Sequence, residues 1–298
     1  MIQLSIIIVT YNSLQYIFNC IESIYEFNDL DESKFEIIIV DNSSIENFTE
    51  MSRLLFDKYK NRIQLIRNEE NKGFGQGNNV GIKIAKGKYV CLSNPDILFR
   101  VPVFQKVLKL FQDNKDLAMI GGKQIGGRNS SFLNRPEYDF FVFTAILSDF
   151  LNIVNLYFQN YFYLSGALLF IDKEKFIEIG LFDENIFLYF EESDITKRFL
   201  KNGYSTKFVK GFIYDHLVGG REITSETVFD IEIDSVKKYC LKYHYNFRSF
   251  VNRKIISYRI MICFCKLLGK NDRVRKSEIY LNRFLKVKSD LVLNEIKM

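Results

Sequence analysis

Three polar clusters, each following a short apolar run, are the first residues whose types and spacing could do chemistry. They are Thr10-Tyr11-Asn12, Asp41-Asn42-Ser43-Ser44 and Ser93-Asn94-Pro95-Asp96. A carboxylate placed like Asp41 can accept from a ribose hydroxyl or a base N–H. One placed like Asp96, beside a proline that stiffens the loop, suits a hard divalent metal, which takes carboxylate and phosphate oxygens. Any one cluster reads equally well as a turn, since Asn, Asp and Ser make turns. All three in one frame favour a binding site, because ligands of open parallel sheets bind at the carboxyl ends of strands.

Three further groups carry chemical types. The loop Asn71-Lys72-Gly73-Phe74-Gly75-Gln76-Gly77-Asn78-Asn79 opens a helical segment. Its glycines would let backbone N–H groups approach an anion at a helix N-terminus, with Lys72 adding a full charge. The loop fits neither the dinucleotide nor the P-loop pattern, and alone it reads as a turn. His216 is one of two histidines; it follows a strand-like run and precedes Gly219-Gly220. A lone histidine is commonly structural, but this placement raises its weight. Glu191-Glu192-Ser193-Asp194 puts three carboxylates at a helix start, where the dipole tolerates them. The apolar run Ile186–Phe190 before them would raise proton affinity, which suits a general base.

The elements that must position these groups follow from periodicity. Gln3–Val9 and Phe35–Val40 are β-branched runs bounded by polar turns, and read as buried strands. Between them, Leu14, Ile17, Phe18, Ile21 and Ile24 are at helical spacing, with Asn12 or Ser13 as cap. A strand–helix–strand unit implies a parallel sheet. Further helices are expected at 48–59, 75–86, 103–112, 172–179 and 191–201, the last closed by Gly203. Further strands are expected at 63–67, 89–93, 163–171 and 204–209. Residues 121–134 read as a mobile, glycine-rich connection. The charge-poor aromatic stretch 140–163 reads as core or as an apolar wall. From Thr224 the pattern is helical.

With 298 residues, 47% of them hydrophobic, the chain can bury a sizeable core and is not disordered. Five cysteines without CxxC spacing read as reduced, buried thiols of a cytoplasmic protein. The sequence opens on a strand rather than a secretory signal, and no stretch reads as a bilayer span. The net charge of +5 is uneven: from Lys237 onward there are 16 Lys and Arg against 4 Asp and Glu, and before it 25 against 32. A basic tail on an acidic body suggests an anionic partner, or a solvated helical face. In the tail, Val251–Leu268 mixes bulky apolar residues with Arg253, Lys254, Arg259 and Lys266. Such a segment can snorkel at a lipid boundary, or pack on the rest of the chain or on a second subunit.

Six blocks of this sequence resemble the family 2 glycosyltransferases of the GT-A fold, especially the rhamnosyltransferase-like branch of bacterial polysaccharide assembly. They are IIIVTYNS at 6–13, IIIVDNSS at 37–44, NKGFGQGNNVGI at 71–82, LSNPDI at 92–97, SGALLFIDKEKFIEIGLFDENIFLYFEESDITKRFLKNGY at 165–204, and DHLVGG at 215–220. The resemblance implies an α/β GT-A domain over 1–223, with a nucleotide-binding half at 1–100 and an acceptor half at 101–223. A basic helical region, 224–298, would follow. By this resemblance Thr10, Tyr11, Asn12, Asp41 and Asn42 meet the base and ribose, and Lys72, Gly73, Gly75 and Asn78 the diphosphate. Asn94 and Asp96 occupy the Asp-x-Asp position, with Asp96 and His216 as ligands of Mg²⁺ or Mn²⁺. Glu192 stands where the family carries its catalytic base. Asn94 replaces the first acid, and Glu192 is one methylene longer than the expected Asp, which leaves Glu191 and Asp194 as further candidates. Residues 161–164 also lack the tryptophan frequent there.

The activity so implied is inverting transfer of a hexose from a nucleoside-diphosphate sugar to a glycan acceptor, lipid-diphosphate-linked, at the inner membrane face. A homodimer is a further expectation, and a nucleic acid partner is not. Two rivals remain at this level. A sugar nucleotidyltransferase would want a glycine- and arginine-bearing loop where Thr10-Tyr11-Asn12 stands. A non-catalytic membrane or polyanion-binding module would not need Asp96, Glu192 and His216 together.

Overall fold

A computed structural model describes residues 1–126, 130–140, 142–217 and 225–296. Ten strands are described: β1 (Leu4–Thr10), β2 (Phe35–Asp41), β3 (Ile63–Arg67), β4 (Tyr89–Ser93), β5 (Ile97–Phe99), β6 (Leu117–Ile125), β7 (Phe132–Asn134), β8 (Phe162–Leu164), β9 (Leu168–Asp172) and β10 (Ser205–His216). The helices are α1 (Leu14–Glu26), α2 (Ile45–Tyr59), α3 (Phe74–Ile84), α4 (Phe104–Asp113), α5 (Val142–Val154), α6 (Lys173–Glu178), α7 (Glu191–Lys201), α8 (Glu226–Lys242), α9 (Phe247–Leu267) and α10 (Asn271–Ile296).

Eight strands form one sheet in the order β3-β2-β1-β4-β9-β6-β10-β5. The β3-β2-β1-β4 part is parallel, as the strand–helix–strand pattern implies. The sheet as a whole is mixed, because β9 runs antiparallel to both β4 and β6, and β5 antiparallel to β10. Hydropathy could not show this: a strand buried on both faces looks the same in either direction. The core joins β1, β2, β4 and β9 to α1, α2 and α4 through Ile6, Ile8, Ile37, Ile39, Phe104 and Phe170.

Several expected boundaries move. Helix α2 starts at Ile45 rather than 48, because Ser44 caps it by accepting from Asn47 N. Ser13 stands at the start of α1 without a capping bond; its hydroxyl instead engages Tyr11 N and O. The expected strand 163–171 is two, β8 and β9, separated at Ser165–Ala167. Much of the supposedly mobile stretch 121–134 is β6 and β7, since Gly121 and Gly122 lie in β6 with no room for a side chain beside them. Its residues 127–129 lie outside the described ones, as do Val218, Gly219 and Gly220. Of the five cysteines, all free, Cys263 is exposed rather than buried.

The chain forms two units. The first comprises 1–133 and 157–220 and holds the large sheet. The second joins 134–156 to 221–298, so that the aromatic segment containing α5 groups with the C-terminal helices. In it α9 packs against α5, α8 and α10, and Arg253 donates to the carbonyls of Pro136 and Asp139. Sequence order alone assigned 134–156 to the first region; these contacts are long-range.

Candidate active site

The parallel register brings the first two polar clusters side by side, because Thr10 is aligned with Asp41. The Thr10 hydroxyl donates to Asp41 Oδ1 at 2.7 Å, and the Ser43 hydroxyl to the same oxygen at 2.8 Å. Ser43 Oγ in turn accepts from Asn12 N at 2.8 Å. Asp41 is fully buried, and its Oδ2 has no hydrogen-bond partner among the described residues. A buried carboxylate oxygen held on one side and open on the other is an acceptor prepared for a donor from outside.

Asn42 and Asn12, beside Asp41, are held by hydrogen bonds within the protein. Asn42 accepts from Asn68 Nδ2 at 2.7 Å and donates to Gly73 O and Asn71 Oδ1. Its side chain therefore ties β2 to the glycine loop. Asn12 has a left-handed backbone and accepts from Asn47 Nδ2, which fixes the turn after β1. Tyr11 is exposed.

The glycine loop is closely packed against the segment before α7. Gly73 has φ +94°, and a Cβ there would fall 1.9 Å from Phe187 O, which also accepts from Phe74 N. A Cβ on Gly75 would meet Phe182 Cβ at 2.9 Å, so that space is filled by protein. Asn79 exchanges hydrogen bonds with both Phe182 backbone groups and donates to Glu184. Asn78 is buried, bonds to Phe74 O, and leaves its Oδ1 without a partner among the described residues. Lys72 is largely exposed beside Glu70.

The third cluster lies where β4 ends. Ile8 of β1 is aligned with Ser93 of β4, and Ser93 with Leu168 of β9. Asn94 N donates to Ala167 O at 2.9 Å. Beyond it the chain turns into β5, whose antiparallel register sets His216 opposite Ile97, and Leu217 N bonds to Asp96 O. Two residues distant in sequence thereby meet: His216 Nε2 lies 3.4 Å from Asp96 Oδ1. Asp96 is buried, and neither His216 ring nitrogen has a hydrogen-bond partner among the described residues. One carboxylate and one imidazole fit a divalent cation that completes its shell with diphosphate oxygens and water. Among the described residues no group of three or more His, Cys, Asp or Glu is arranged to hold a metal, so substrate oxygens would have to supply the rest.

The acidic run divides into three roles. Asp194 is fully buried, with Arg198 Nη2 and Nε both donating to its Oδ2, at 2.6 and 2.9 Å, and Arg198 also donates to Ile179 O. That pairing is structural and removes Asp194 as a candidate base. Glu191 is buried, with Oε2 lacking a hydrogen-bond partner among the described residues. Burial, then the neighbouring charge of Glu192, holds its carboxyl well above the usual range. Glu192 is half-buried, and Gly166 N donates to its Oε1 at 3.0 Å. Burial pushes its pKa up to about 7, against the lowering effect of its own N–H and that of Gly166.

Glu192 reaches this position through a close approach and a strained entry. A Cβ on Gly166 would lie 2.1 Å from Glu192 Oε1. Tyr189 and Phe190, just before α7, both have left-handed backbones, at φ +73° and +68°. For bulky residues that costs about 1–3 kcal/mol each, and such strain gathers at functional sites. Gly166 precedes Ala167, the partner of Asn94, so Glu192 stands beside the loop that carries Asp96. Sequence reasoning missed Gly166 and Asn79. Gly166 lies in the block at 165–204, but nothing in its spacing signals a carboxylate contact.

Residues 5–180 match the family described as Glycosyl transferase family 2. Glycosyltransferase GlyG of Streptococcus pneumoniae serotype 4 is 27% identical over 118 residues, 40% of this chain and 38% of that protein. A poly(ribitol-phosphate) β-N-acetylglucosaminyltransferase, TarS of Staphylococcus aureus, is 28% identical over 132 residues, 43% of this chain and 22% of its own. The matched region thus spans well under half the length of either relative. Among solved structures, the Pyrobaculum calidifontis mannosyltransferase PcManGT, in complex with GDP-Man and Mn²⁺, aligns with a TM-score of 0.59 at 13% identity. That alignment covers 99% of this chain and 79% of the other, a likeness of fold.

Proposed function

The chain belongs to glycosyl transferase family 2 and has the GT-A fold, and from that premise we propose a single inverting displacement at the site just described. The donor is a nucleoside-diphosphate hexose, rhamnose included, and the acceptor a hydroxyl of a polysaccharide intermediate carried on a lipid diphosphate. The observation that carries this reading is Glu192: a carboxylate with raised proton affinity, fixed by Gly166 N–H beside the Asp96 loop.

Glu192 takes the proton of the acceptor hydroxyl as that oxygen attacks the anomeric carbon and the nucleoside diphosphate leaves. Asp41 Oδ2 accepts from the ribose or base, and Asn78 Oδ1 supplies a second buried acceptor. Asp96 and His216 would hold Mg²⁺ or Mn²⁺, which when bound supplies positive charge to the leaving diphosphate. The Mn²⁺ and GDP-mannose of the mannosyltransferase support the donor class, and the poly(ribitol-phosphate) named for TarS supports a polymeric acceptor. Lipid-linked acceptors would place the protein at the inner membrane face. No helix among the described residues is long and apolar enough to cross a membrane.

The test is transfer of labelled sugar from a panel of nucleotide sugars by the wild type and by Glu192→Gln. The variant should bind donor normally and transfer roughly 100-fold or more slowly, the scale of general-base catalysis. Wild-type activity should rise with pH through about 7, because the base must be ionised. Wild-type rates from Glu192→Gln would overturn the reading.

A further inference from the structure

Helix α5 is amphipathic in the wrong sense for water. Phe143, Ile146, Leu147, Phe150, Ile153 and Val154 recur at helical spacing and all are exposed, Phe143 and Ile153 at 73%. The opposite face is Ser148, Leu151 and Asn152, exposed by only 8%, 8% and 5%. A solvated surface helix turns its apolar stripe to the core and its polar residues outward. Here two small polar residues face inward, and six large apolar ones form a continuous outer stripe, the mark of a surface built for a non-aqueous contact. The helix has 13 residues and one charged side chain, Asp149. At 1.5 Å per residue it is too short to cross a bilayer but long enough to lie along one.

The same unit supplies the charge. On α9, Ile256, Ile260 and Leu267 are exposed on one side, flanked by exposed Arg259 and Lys266. Lys270, Arg273, Arg275 and Lys276 follow and are exposed as well. Between Arg253 and Lys288 the acidic residues are Asp272 and Glu278, the latter paired with Lys266. An apolar helix with a single acidic residue beside a basic helical pair is complementary to a bilayer surface bearing anionic lipid, where apolar side chains enter the headgroup boundary and basic ones meet phosphate.

We infer that α5 is the element by which this protein docks on an anionic membrane surface, its apolar stripe entering the lipid boundary while α9 and α10 supply the electrostatic attraction. The inference rests on the proposed lipid-linked acceptor only for its purpose. The binding itself is read without any sugar transfer, so failure of one is separable from failure of the other.

The chain contains no tryptophan, so Phe150→Trp places a single reporter on the stripe. Its emission should shift to the blue on mixing with phosphatidylglycerol vesicles and be quenched by brominated acyl chains. In parallel, full-length protein and the triple variant Phe143→Ser, Phe150→Ser, Ile153→Ser are sedimented with the same vesicles and sized by light scattering without lipid. The wild type should bind at least tenfold more tightly than the triple variant, with equal melting curves and equal size in solution. Unchanged tryptophan emission, or equal sedimentation of both proteins, would overturn the inference. So would a wild-type dimer that the triple variant reduces to a monomer while neither binds vesicles, because the stripe would then be a contact between copies.

Discussion

Strands β1, β2 and β4 in the first unit are buried along nearly their whole length and meet polar partners where they leave the core, whereas α5 in the second turns Ser148 and Asn152 inward and its apolar residues out. In the first case the buried polar residues Thr10, Asp41 and Ser93 sit at strand ends, where neighbouring loops can satisfy them and a ligand can complete them. Thr10, Asp41 and Ser43 form such a set, with one oxygen left over. In the second, full burial of each large stripe residue would be worth about 1.5–3 kcal/mol, and only part of it is realised while that face meets water. On the proposed reading the first region serves chemistry and the second attachment, so each should be alterable without the other.

The largest expected effect falls in the first region. Asp96→Ala should lower transfer on the order of 100–1000-fold, the scale of losing preorganised charge at a leaving group, with the melting curve little changed and vesicle binding intact. Full turnover by metal-free protein in excess chelator would remove Asp96 and His216 from this role. If vesicle binding fell together with transfer, the two regions would not be separable.

Gly166→Ala tests the positioning of Glu192 rather than its chemistry. The new methyl group would collide with Oε1, which lies 2.1 Å from the ideal Cβ position. Transfer should fall roughly 10–100-fold, the range for displacing a catalytic group by about 1 Å, and the pH at which activity rises should move. A variant with wild-type rate and pH profile would show that the close contact is incidental.

The smallest effect concerns stability. The Glu191 carboxyl is held above its ordinary value by burial. As pH rises past about 4.5 the unfolded chain ionises at this residue while the folded protein resists, so its contribution is fully present at low pH and lost as pH rises. Gln cannot ionise, so Glu191→Gln should gain stability relative to wild type between pH 5 and pH 8. The gain should be roughly 1–3 kcal/mol, the scale of relieving a buried unsatisfied group. Denaturant unfolding at the two pH values measures it, and an equal difference at both would show that Glu191 titrates normally.

Much of the first unit was legible in the sequence because its signals are local. β-Branched runs set the strands of the β3-β2-β1-β4 sheet, the helical spacing of Leu14 to Ile24 set α1, and Gly203, at φ +81°, ends α7 as expected. Asp41, Asp96, Glu192 and His216 were singled out by residue type at strand and helix ends. The glycine loop shows a limit of sequence reading for a physical reason. Glycine is needed wherever backbone is approached closely, and sequence does not say whether the approaching atom belongs to a phosphate or, as at Gly73, to Phe187. Asp194 shows the same limit, since a free base and a paired carboxylate are the same residue until Arg198 is placed beside it.

By itself, then, the sequence determined the alternation of strands and helices, the chemical types at their ends and the family to which they belong. Those depend on neighbours within a few residues along the chain. Tertiary structure alone decided that β9 and β5 run against their neighbours, that Gly166 makes room for Glu192 and that α5 faces outward. Each of these is a relation between residues far apart in sequence or between a side chain and solvent. The pattern of α5 has the same helical period whichever side is buried, and only the packing of the chain chose the polar side.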